Sequence, residues 1–473
     1  MTSWYAIDHH GWIGTETIET RVGQFDFAEG YPAGDTAKRL TDLQVFYRAV
    51  EVYLEQMPAV SMHAIRKGLA GFGATSSNQV VLWQKVPNDD ALVLAGDSRP
   101  ASAIAFIDLK RDGPTVIETA AGLVGGVSDM WQQPVVDIGT TGADGGQGGR
   151  FLILPPSFQG VPRDGFITTR ARTFGVMFVA RGFVGSATNS DVARLETLAI
   201  FPLARAANRP ATTFLNGSDR DIDTVFCDGY EFFEDLARLV EQEPADVLSS
   251  RERFFLSAIG IQKGKPFRPD AQRRKLLGEA ARLGSAIARA RTFASRDPER
   301  LVYPDRQWEW PAVGGSATFD SEGFVNTDRR AAFAYAACGM LPAMFLRATG
   351  VQSPCKWTMR DVNGAFLEGG RSYRLRLPAN LPPQNCWSLV VYDAESRSVL
   401  RNEGGNPSVC QYTGPETNYD GSVDIYFSPH PPRGRERNWI ETVDGTGWFP
   451  LLRLYGPLES LDATWKPGDI EEV

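Results

Sequence analysis

Acidic side chains are the groups in this sequence best suited to chemistry, because histidine occurs only four times in 473 residues. Asp129 and Asp137 lie in one short stretch, with Trp131 between them. Two carboxylates that face each other across a cleft can act as general acid and general base. We therefore predict Asp129 or Asp137 as the general base and Trp131 as a contact to the substrate. The alternative is that each aspartate bonds the backbone of a turn, as Asp commonly does at strand ends.

Polar and aromatic side chains inside otherwise apolar stretches form a second group of candidates. Such polar groups must be hydrogen-bonded in the core or take part in a function. Arg453 is predicted to clamp an anion, since a guanidinium can grip a carboxylate or a phosphate through two parallel hydrogen bonds. Trp387 and Trp439 could stack on a sugar or an apolar ligand, or simply fill a core. The remaining predicted substrate contacts are Arg150, Asp393, Asn438 and Tyr455.

The sequence offers few residues for other kinds of catalytic centre. A Ser-His-Asp hydrolase would have to use His63 or His430, and no G-x-S-x-G sequence precedes a predicted helix. The five cysteines include no C-x-x-C pair, which predicts free thiols rather than a disulfide framework or a thiolate metal site. We predict no cofactor, although Asp137 and Asp144 could help to bind Ca²⁺ or Mg²⁺. The glycine-rich segment 137–150 lacks the G-K-[ST] ending of a phosphate-binding loop, and we expect a tight connection between strands.

Length and charge restrict the class of protein further. A chain of 473 residues is long enough for two or three domains. A net charge of −8 argues against nucleic acid or an anionic membrane as the main partner, because both need clustered Lys and Arg. The longest apolar stretch, 331–346, contains Gly339 and Pro342 and is too short to span a bilayer. The first residues show no signal-peptide pattern, so we expect a cytoplasmic location, or a periplasmic one if a signal has been removed.

The pattern of apolar residues predicts the elements that must position these side chains. Residues 1–40 show no strong period, and we expect an extended arm that lies over a neighbouring subunit. A helix is expected to begin at Thr41 or Asp42 and to end at Pro58, since proline interrupts helices. Short apolar runs bounded by Gly, Pro and Asp predict strands between residues 79 and 203, and again from residue 357 onward. The helices predicted between these two sets of strands are 232–243, 271–293 and 331–349.

Together these elements predict a mainly β fold with a helical insert. The expected architecture is two antiparallel β-sandwich or jelly-roll-like domains joined by a helical region. The predicted divisions are an extended arm at 1–40, a helix with a β domain at 41–205, a helical connecting region at 206–350 and a jelly-roll-like β-sandwich at 351–473. Two such domains with an arm would make a good building block for a homo-oligomer.

Several motifs, such as Asp129-Met-Trp131, resemble those of a bacterial two-domain family in which domain of unknown function 1254 is followed by domain of unknown function 1214. The matching stretches are 106–114, 129–131, 137–139, 148–156 and 259–267, then 387–393, 420–422, 438–440 and 447–457. The resemblance implies a mainly β fold with a jelly-roll-like C-terminal domain and helices between, but no particular reaction. Many relatives begin with a secretory signal. Relatives usually carry an Asn-x-x-Thr-type stretch where this chain has 97–102, which implies a different ligand if those residues line a pocket.

Three classes of function are compatible with these observations. The first is an enzyme, a hydrolase or lyase that acts on a small organic or ester-like substrate through carboxylates and arginines rather than a histidine triad. The second is a non-catalytic homo-oligomeric binding or assembly protein. The third is a module that binds a carbohydrate or a lipid. The enzyme is favoured, because many polar residues lie inside apolar motifs, and a small-molecule ligand is expected.

Overall fold

The computed structural model describes residues 15–84, 101–182, 188–218, 220, 222–337, 355–379, 386–404, 407–455 and 465–473. Most of the segment 97–102 and the second half of the helix expected at 331–349 therefore lie outside the described residues. The side chain of Tyr455 also lies outside them, so its contact with a substrate stays a prediction.

The described elements are helices in the first three quarters of the chain and strands at both ends. The helices are α1 Thr36–Gly71, α2 Leu109–Asp112, α3 Thr188–Leu195, α4 Glu231–Gln242, α5 Ser250–Ala258, α6 Ala271–Phe293 and α7 Thr327–Ala336. The first strands are β1 Glu16–Thr20, β2 Gly23–Ala28, β3 Tyr31–Pro32, β4 Gln79–Trp83, β5 Ser102–Asp108, β6 Thr115–Thr119, β7 Leu123–Asp129, β8 Pro134–Ile138, β9 Gly149–Leu154, β10 Ile167–Arg170, β11 Gly175–Gly182, β12 Ala199–Pro202 and β13 Thr213–Asn216. The later strands are β14 Asp320–Ser321, β15 Phe324–Val325, β16 Cys355–Trp357, β17 Tyr373–Leu377, β18 Cys386–Asp393, β19 Ser408–Cys410, β20 Val423–Ser428, β21 Trp439–Glu441, β22 Trp448–Tyr455 and β23 Ile470–Glu472.

The N-terminal strands form two sheets that share a core. A six-stranded sheet has the order β13-β4-β5-β11-β7-β8, and a four-stranded sheet has the order β10-β9-β6-β12. Val127 and Phe178 of the larger sheet and Phe151 of the smaller one belong to the same buried cluster. On its other face the six-stranded sheet packs on helices, because Met177 and Val179 share a second cluster with residues of α1, α4 and α6.

The C-terminal strands form two four-stranded sheets, in the orders β16-β22-β18-β19 and β21-β20-β17-β23. Leu389 and Leu452 of the first sheet share a buried cluster with Phe427 of the second. The opposite face of the first sheet is also buried, since Phe449 packs with Phe333 of α7. The helical layer therefore lies between the six-stranded sheet on one side and a C-terminal sheet on the other.

Helix α1 is longer than the sequence predicts and passes through Pro58. A proline inside a helix removes one hydrogen bond and costs roughly 3 kcal/mol. The residues beyond it offset this cost, because Val60, Met62 and Ile65 are buried among the helices and the six-stranded sheet. Burial of each such side chain contributes about 1.5–3 kcal/mol. The prediction of a helix end at Pro58 is wrong, and His63 lies within the helix rather than after it.

The other predicted elements agree with the structure in part. The helix α6 has the predicted bounds, and strands occur where the short apolar runs predict them. Within the predicted arm, residues 16–28 form an antiparallel hairpin of β1 and β2 instead of an extended segment. The predicted helical region 206–350 contributes strand β13 to the six-stranded sheet. No helix of the described ranges is long and apolar enough to span a membrane.

Candidate functional site

Asp129 ends strand β7 and organises the tight turn that follows it. Its Oδ1 atom accepts hydrogen bonds from the amides of Trp131 at 2.8 Å and Gln133 at 2.9 Å. The Asp129 amide donates to the Gln133 carbonyl at 2.9 Å, which closes the turn. The register of β7 with β8 shifts between Val127 and Ser128, directly before the turn. Such bulges re-aim side chains and are common next to active sites. One carboxylate oxygen of Asp129 therefore has the structural role that the sequence left open.

The second oxygen of Asp129 has no such role. Its Oδ2 atom is buried and accepts no hydrogen bond from any residue that the structure describes. Among the described residues its ion-pair partner is Arg172, whose Nη1 atom lies 3.8 Å away. Burial raises the pKa of the Asp129 carboxyl, although the turn amides and two nearby arginines act in the opposite direction. A buried carboxyl oxygen with a raised pKa and no hydrogen-bond partner is suited to proton transfer.

Two arginines flank the Asp129 turn. Arg172 follows strand β10, donates to the Val247 carbonyl at 2.8 Å and keeps 54% of its side chain exposed. Arg330 of α7 donates to the Trp131 carbonyl at 2.8 Å and is partly exposed. Burial lowers the pKa of the Arg330 guanidinium, and the negative charge of Asp129 acts in the opposite direction. The site therefore combines one carboxyl oxygen that accepts no hydrogen bond from a described residue with two cations from separate elements.

A layer of polar side chains from the helices holds this turn in place. The Trp131 indole nitrogen donates to Gln56 of α1 at 2.8 Å. The Gln56 amide nitrogen in turn donates to Glu252 of α5 at 3.1 Å. Gln132 donates to the Pro58 carbonyl at 3.3 Å. These bonds tie the turn to the buried middle of α1, so the position of Asp129 depends on the packing of the helical layer.

A second buried carboxylate fixes the start of strand β11 beside the turn. Glu243 accepts the amides of Phe174 at 2.5 Å and Gly175 at 3.1 Å. Thr173 accepts the Met130 amide at 3.2 Å, which joins this segment to the Asp129 turn. Burial raises the pKa of Glu243, and the negative charge of Asp129 adds to that increase. Because both oxygens of Glu243 bind backbone amides, this carboxylate supports the site rather than facing a ligand.

Asp137 and Arg150 do not join this cluster. Asp137 lies opposite Gly126 in the pairing of β7 with β8, three residues before Asp129, which is roughly 10 Å along the strand. Burial raises the pKa of Asp137. Arg150 binds Glu118 at 3.1 Å on the four-stranded sheet, with 52% of its side chain exposed. The predicted acid–base pairing of Asp129 with Asp137 therefore has no direct contact to support it.

The glycine-rich segment 137–150 is the strand connection that the sequence predicts. It joins β8 to β9, and Gly145 and Gly146 adopt φ angles of 55° and 79°. Asp144 accepts the amides of Gly139 at 2.8 Å and Gly148 at 3.2 Å, so its carboxylate stabilises the loop. In the described part of the chain, no group of three or more His, Cys, Asp or Glu side chains is placed to hold a metal ion.

Trp387 and Arg453 lie on opposite faces of one C-terminal sheet. In the pairing of β18 with β22, Arg453 lies opposite Ser388, and Trp387 lies opposite Leu454. Trp387 is buried in the core between the two sheets. The buried Arg453 donates to the Tyr392 hydroxyl at 2.9 Å. The structure therefore does not bring these two predicted ligand contacts together.

The other C-terminal candidates bond the local backbone. Asp393 accepts the amides of Glu395 at 3.0 Å and Ser396 at 2.6 Å. Asn438 accepts the Glu416 amide at 2.7 Å and donates to the carbonyls of Glu416 and Asp424, both at 2.8 Å. The Trp439 indole donates to the Ser428 carbonyl at 2.9 Å. These contacts describe turn and loop supports, and none of them involves the Asp129 cluster.

Several residues of the cluster were not predicted as site residues. Arg330, Gln132 and Glu243 come from a helix, a turn and a helix end that carry no motif of their own. One signal was present in the sequence: the polar pair Glu55 and Gln56 interrupts an otherwise apolar stretch of α1. Because this part of the helix is buried all round, polar residues there need partners from neighbouring elements.

The carboxylate–arginine cluster lies where the six-stranded sheet meets the helical layer. One family model, described as "Protein of unknown function (DUF1254)", matches residues 77–199, and another, "Protein of unknown function (DUF1214)", matches residues 355–459. The two matches occur in this order, so the chain contains a DUF1254 domain followed by a DUF1214 domain, as its motifs predict. Asp129 and Arg172 lie in the first match, whereas Arg330 lies between the two.

The crystal structure of the VPA0106 protein from Vibrio parahaemolyticus is similar to this fold. The TM-score is 0.55 at 16% identity, over 91% of this chain and 100% of that chain. A structure of an uncharacterized protein from Burkholderia cenocepacia gives a TM-score of 0.42 at 11% identity, over 91% of this chain and 95% of that chain. No curated protein matches the chain. At such identities the likeness to VPA0106 concerns the fold alone.

Proposed function

We propose that this protein is an enzyme, a hydrolase or lyase that acts on a small organic or ester-like substrate, with Asp129 as its general base. The observation that carries the proposal is the buried Oδ2 atom of Asp129, which lies 3.8 Å from Arg172 and accepts no hydrogen bond from a described residue. A carboxyl that served only to cap the turn would need just its Oδ1 atom.

In this proposal the two oxygens of the Asp129 carboxyl have different roles. Oδ1 is held by the amides of Trp131 and Gln133, which fixes the carboxyl plane. Oδ2 takes a proton from a water molecule or from a carbon atom of the substrate, and the resulting Asp129 carboxylic acid gives that proton to the leaving alkoxide or hydroxide. The raised pKa brings its basicity closer to neutral pH, where a general base works best. Arg172 and Arg330 stabilise the negative charge that develops on the substrate oxygen.

The proposal is tested with a panel of small methyl and p-nitrophenyl esters, assayed for hydrolysis, and of small 3-hydroxy acids, assayed for elimination of water. The parent is expected to turn over one of these classes. Asp129→Asn keeps an acceptor at Oδ1 but removes the base, and we expect a loss of about 10²–10⁴-fold in kcat. Asp361→Asn is the matched control, because Oδ1 of Asp361 also accepts two backbone amides. Parental rates in Asp129→Asn, or no turnover of either class by the parent, would contradict the proposal.

A second candidate, assembly into a homo-oligomer, is favoured by the N-terminal hairpin. All five residues of β1 are exposed, and this strand is the edge of its small sheet. Antiparallel pairing with a second copy centred on Ile18 would place Glu16 opposite Thr20 and Thr17 opposite Glu19, so no like charges would meet. In this second proposal the C-terminal sheets form a jelly-roll-like sandwich, which makes up the body of the assembling subunit. Sedimentation of the parent and of Ile18→Pro tests the assembly: a monomeric parent would contradict it.

A further inference from the structure

We propose that Arg397 forms an oxyanion-binding site, in which its guanidinium holds a small carboxylate- or phosphate-bearing molecule where the turn after β18 meets helix α7. The site is separate from the Asp129 turn, so the inference goes beyond the proposed function and does not depend on it. It is carried by the position of the Arg397 side chain, by the lack of an anion or acceptor for it among the described residues, and by the conformation of its backbone.

Arg397 lies in the turn that follows strand β18. Two backbone bonds close this turn, from the Arg397 amide to the Asp393 carbonyl at 2.9 Å and from the Asp393 amide to the Ser398 carbonyl at 3.0 Å. The guanidinium extends to helix α7 and lies over the Tyr335 ring, with its central carbon 4.3 Å from the ring centroid. Both residues are buried, with 8% of Arg397 and 3% of Tyr335 exposed. A cation is therefore placed between a C-terminal sheet and the helical layer.

The guanidinium of Arg397 has no anion and no hydrogen-bond acceptor among the residues that the structure describes. Its Nε atom is buried without a partner, and its two terminal nitrogens donate to no described residue but are not fully closed off from solvent. The Asp393 carboxylate of the same turn accepts the amides of Glu395 and Ser396 instead. The tyrosine ring attracts the cation but offers no lone pair to its N–H groups. An oxyanion at the terminal nitrogens would supply both the missing charge and the missing acceptors.

The backbone of Arg397 is an independent observation. Its φ of 59° lies in the left-handed region, which glycine adopts freely and a residue with a side chain adopts at a cost. A turn that served only to reverse the chain would be satisfied by glycine at this position. Strained conformations of this kind concentrate at binding sites. The turn therefore tolerates strain while it presents a long cationic side chain to α7.

A neighbouring tyrosine does not supply the missing charge. The hydroxyl of Tyr53, in α1, is buried and meets no described group in hydrogen-bond geometry, although Ser285 of α6 acts to lower its pKa. Burial raises the pKa of Tyr53, and the positive charge of Arg397 acts in the opposite direction, so the two groups are within electrostatic reach. Because this hydroxyl stays neutral at physiological pH, it leaves the charge of Arg397 uncompensated.

The planar guanidinium selects the chemistry of the ligand. It can hold two oxygens of one group through two parallel N–H···O bonds, and carboxylate and phosphate groups both match this geometry. A monatomic anion such as chloride has no such pair of oxygens. Since only 8% of Arg397 is exposed, the site favours a small ion over an extended polymer.

The test is isothermal titration of the full chain at neutral pH with inorganic phosphate and with acetate, at an ionic strength held constant with sodium chloride. We expect at least one of the two probes to bind with a stoichiometry of one. Tighter binding of phosphate would identify a phosphate-bearing ligand, and tighter binding of acetate a carboxylate. Because chloride is present throughout, general screening does not mimic the result. Absence of binding of both probes would overturn the inference.

A variant assigns the contact to Arg397. Arg397→Gly removes the guanidinium and also relieves the backbone strain, so it is expected to fold and to lose about tenfold or more in affinity for the bound probe. Arg360→Met is the matched control and should keep parental affinity, since Arg360 also lies over a ring, that of Phe366 at 4.0 Å, but donates to the Gly364 carbonyl at 2.7 Å. Undiminished binding in Arg397→Gly, or an equal loss in Arg360→Met, would overturn the inference.

Discussion

Two turns of this protein have the same hydrogen-bonding pattern but different surroundings. In the turn from Asp129 to Gln133, Oδ1 of the aspartate accepts the amides two and four residues ahead, at 2.8 and 2.9 Å. In the turn from Asp361 to Ala365, Oδ1 accepts the amides of Asn363 and Ala365, both at 2.9 Å. In both turns the aspartate amide donates to the carbonyl four residues ahead at 2.9 Å. Both aspartates are buried, with 0% and 3% exposed.

The two turns differ at the second carboxylate oxygen of each aspartate, which binds no backbone amide of its turn. At Asp129 the second oxygen is buried without a hydrogen bond from a described residue, and no such oxygen occurs at Asp361. The fourth residue also differs: Gly364 has a φ of 83°, whereas Gln132 has a φ of 59°. A side chain in this left-handed region costs roughly 1–2 kcal/mol, so the chain tolerates strain at the Asp129 turn that it avoids at the other. The proposed function of Asp129 is therefore supported by its second oxygen, which accepts no hydrogen bond from a described residue, and not by the turn itself.

The largest expected effect on stability comes from removing each carboxylate. Asp361→Ala leaves two backbone amides without acceptors and should lower the free energy of unfolding by about 2–4 kcal/mol. Asp129→Ala removes an equivalent cap but also removes a buried, poorly compensated charge, so we expect a smaller loss near pH 8. Urea unfolding of both variants measures the difference. A larger loss at Asp129 than at Asp361 would show that the Asp129 carboxylate is fully compensated in the fold.

The pH dependence of stability isolates the charge on Asp129. Burial raises the folded-state pKa of this carboxyl above its ordinary value of 3.8. As the pH rises, the unfolded state loses this proton first, so the folded state binds more protons between the two pKa values. Stability therefore falls with rising pH in that window, by about 1.4 kcal/mol for each unit between the two pKa values. Subtracting the profile of Asp129→Asn from that of the parent should leave this fall. A difference that is flat or rises with pH would contradict it.

Exchanging the fourth residues of the two turns tests the backbone strain. An added Cβ at Gly364 meets no atom within 4 Å, so Gly364→Gln should cost only the φ strain, roughly 1–2 kcal/mol. Gln132→Gly relieves similar strain but removes the bond to the Pro58 carbonyl, and we expect a net change within about 1 kcal/mol. Thermal unfolding of the two variants gives both values. If both variants lost the same large amount of unfolding free energy, the backbone strain assigned to Gln132 would be contradicted.

The smallest effect is expected at Arg150, which the sequence placed among the substrate contacts. Its ion pair with Glu118 is exposed, and such pairs contribute about 0–1 kcal/mol. Arg150→Ala should therefore change turnover by no more than about twofold, and should lower the free energy of unfolding by less than about 1 kcal/mol. A tenfold loss of turnover would place Arg150 in the site and weaken the contrast between the two turns.

The sequence predicts the regular elements better than it predicts the site. Helix α6 and the strands follow from apolar periodicity, which is a local property. The end of α1 was misplaced, because the burial of residues beyond Pro58 depends on partners from distant parts of the chain. The opposite faces of Trp387 and Arg453 follow from the register of β18 with β22, which no local pattern specifies. Asp129 lies in a motif that makes it a candidate from the sequence, whereas no local pattern marks Arg330.

The paired variants Asp129→Asn and Asp361→Asn test the central claim most directly, through their kcat on whichever panel substrate the parent turns over. Each change keeps the Oδ1 acceptor of its turn and replaces the second oxygen with an amide group. The account predicts that Asp129→Asn loses about 10²–10⁴-fold in kcat, while Asp361→Asn stays within about twofold of the parent. Equal kcat values in the two variants would show that the second oxygen of Asp129 has no part in the chemistry, and the proposal of a general base at this turn would fail.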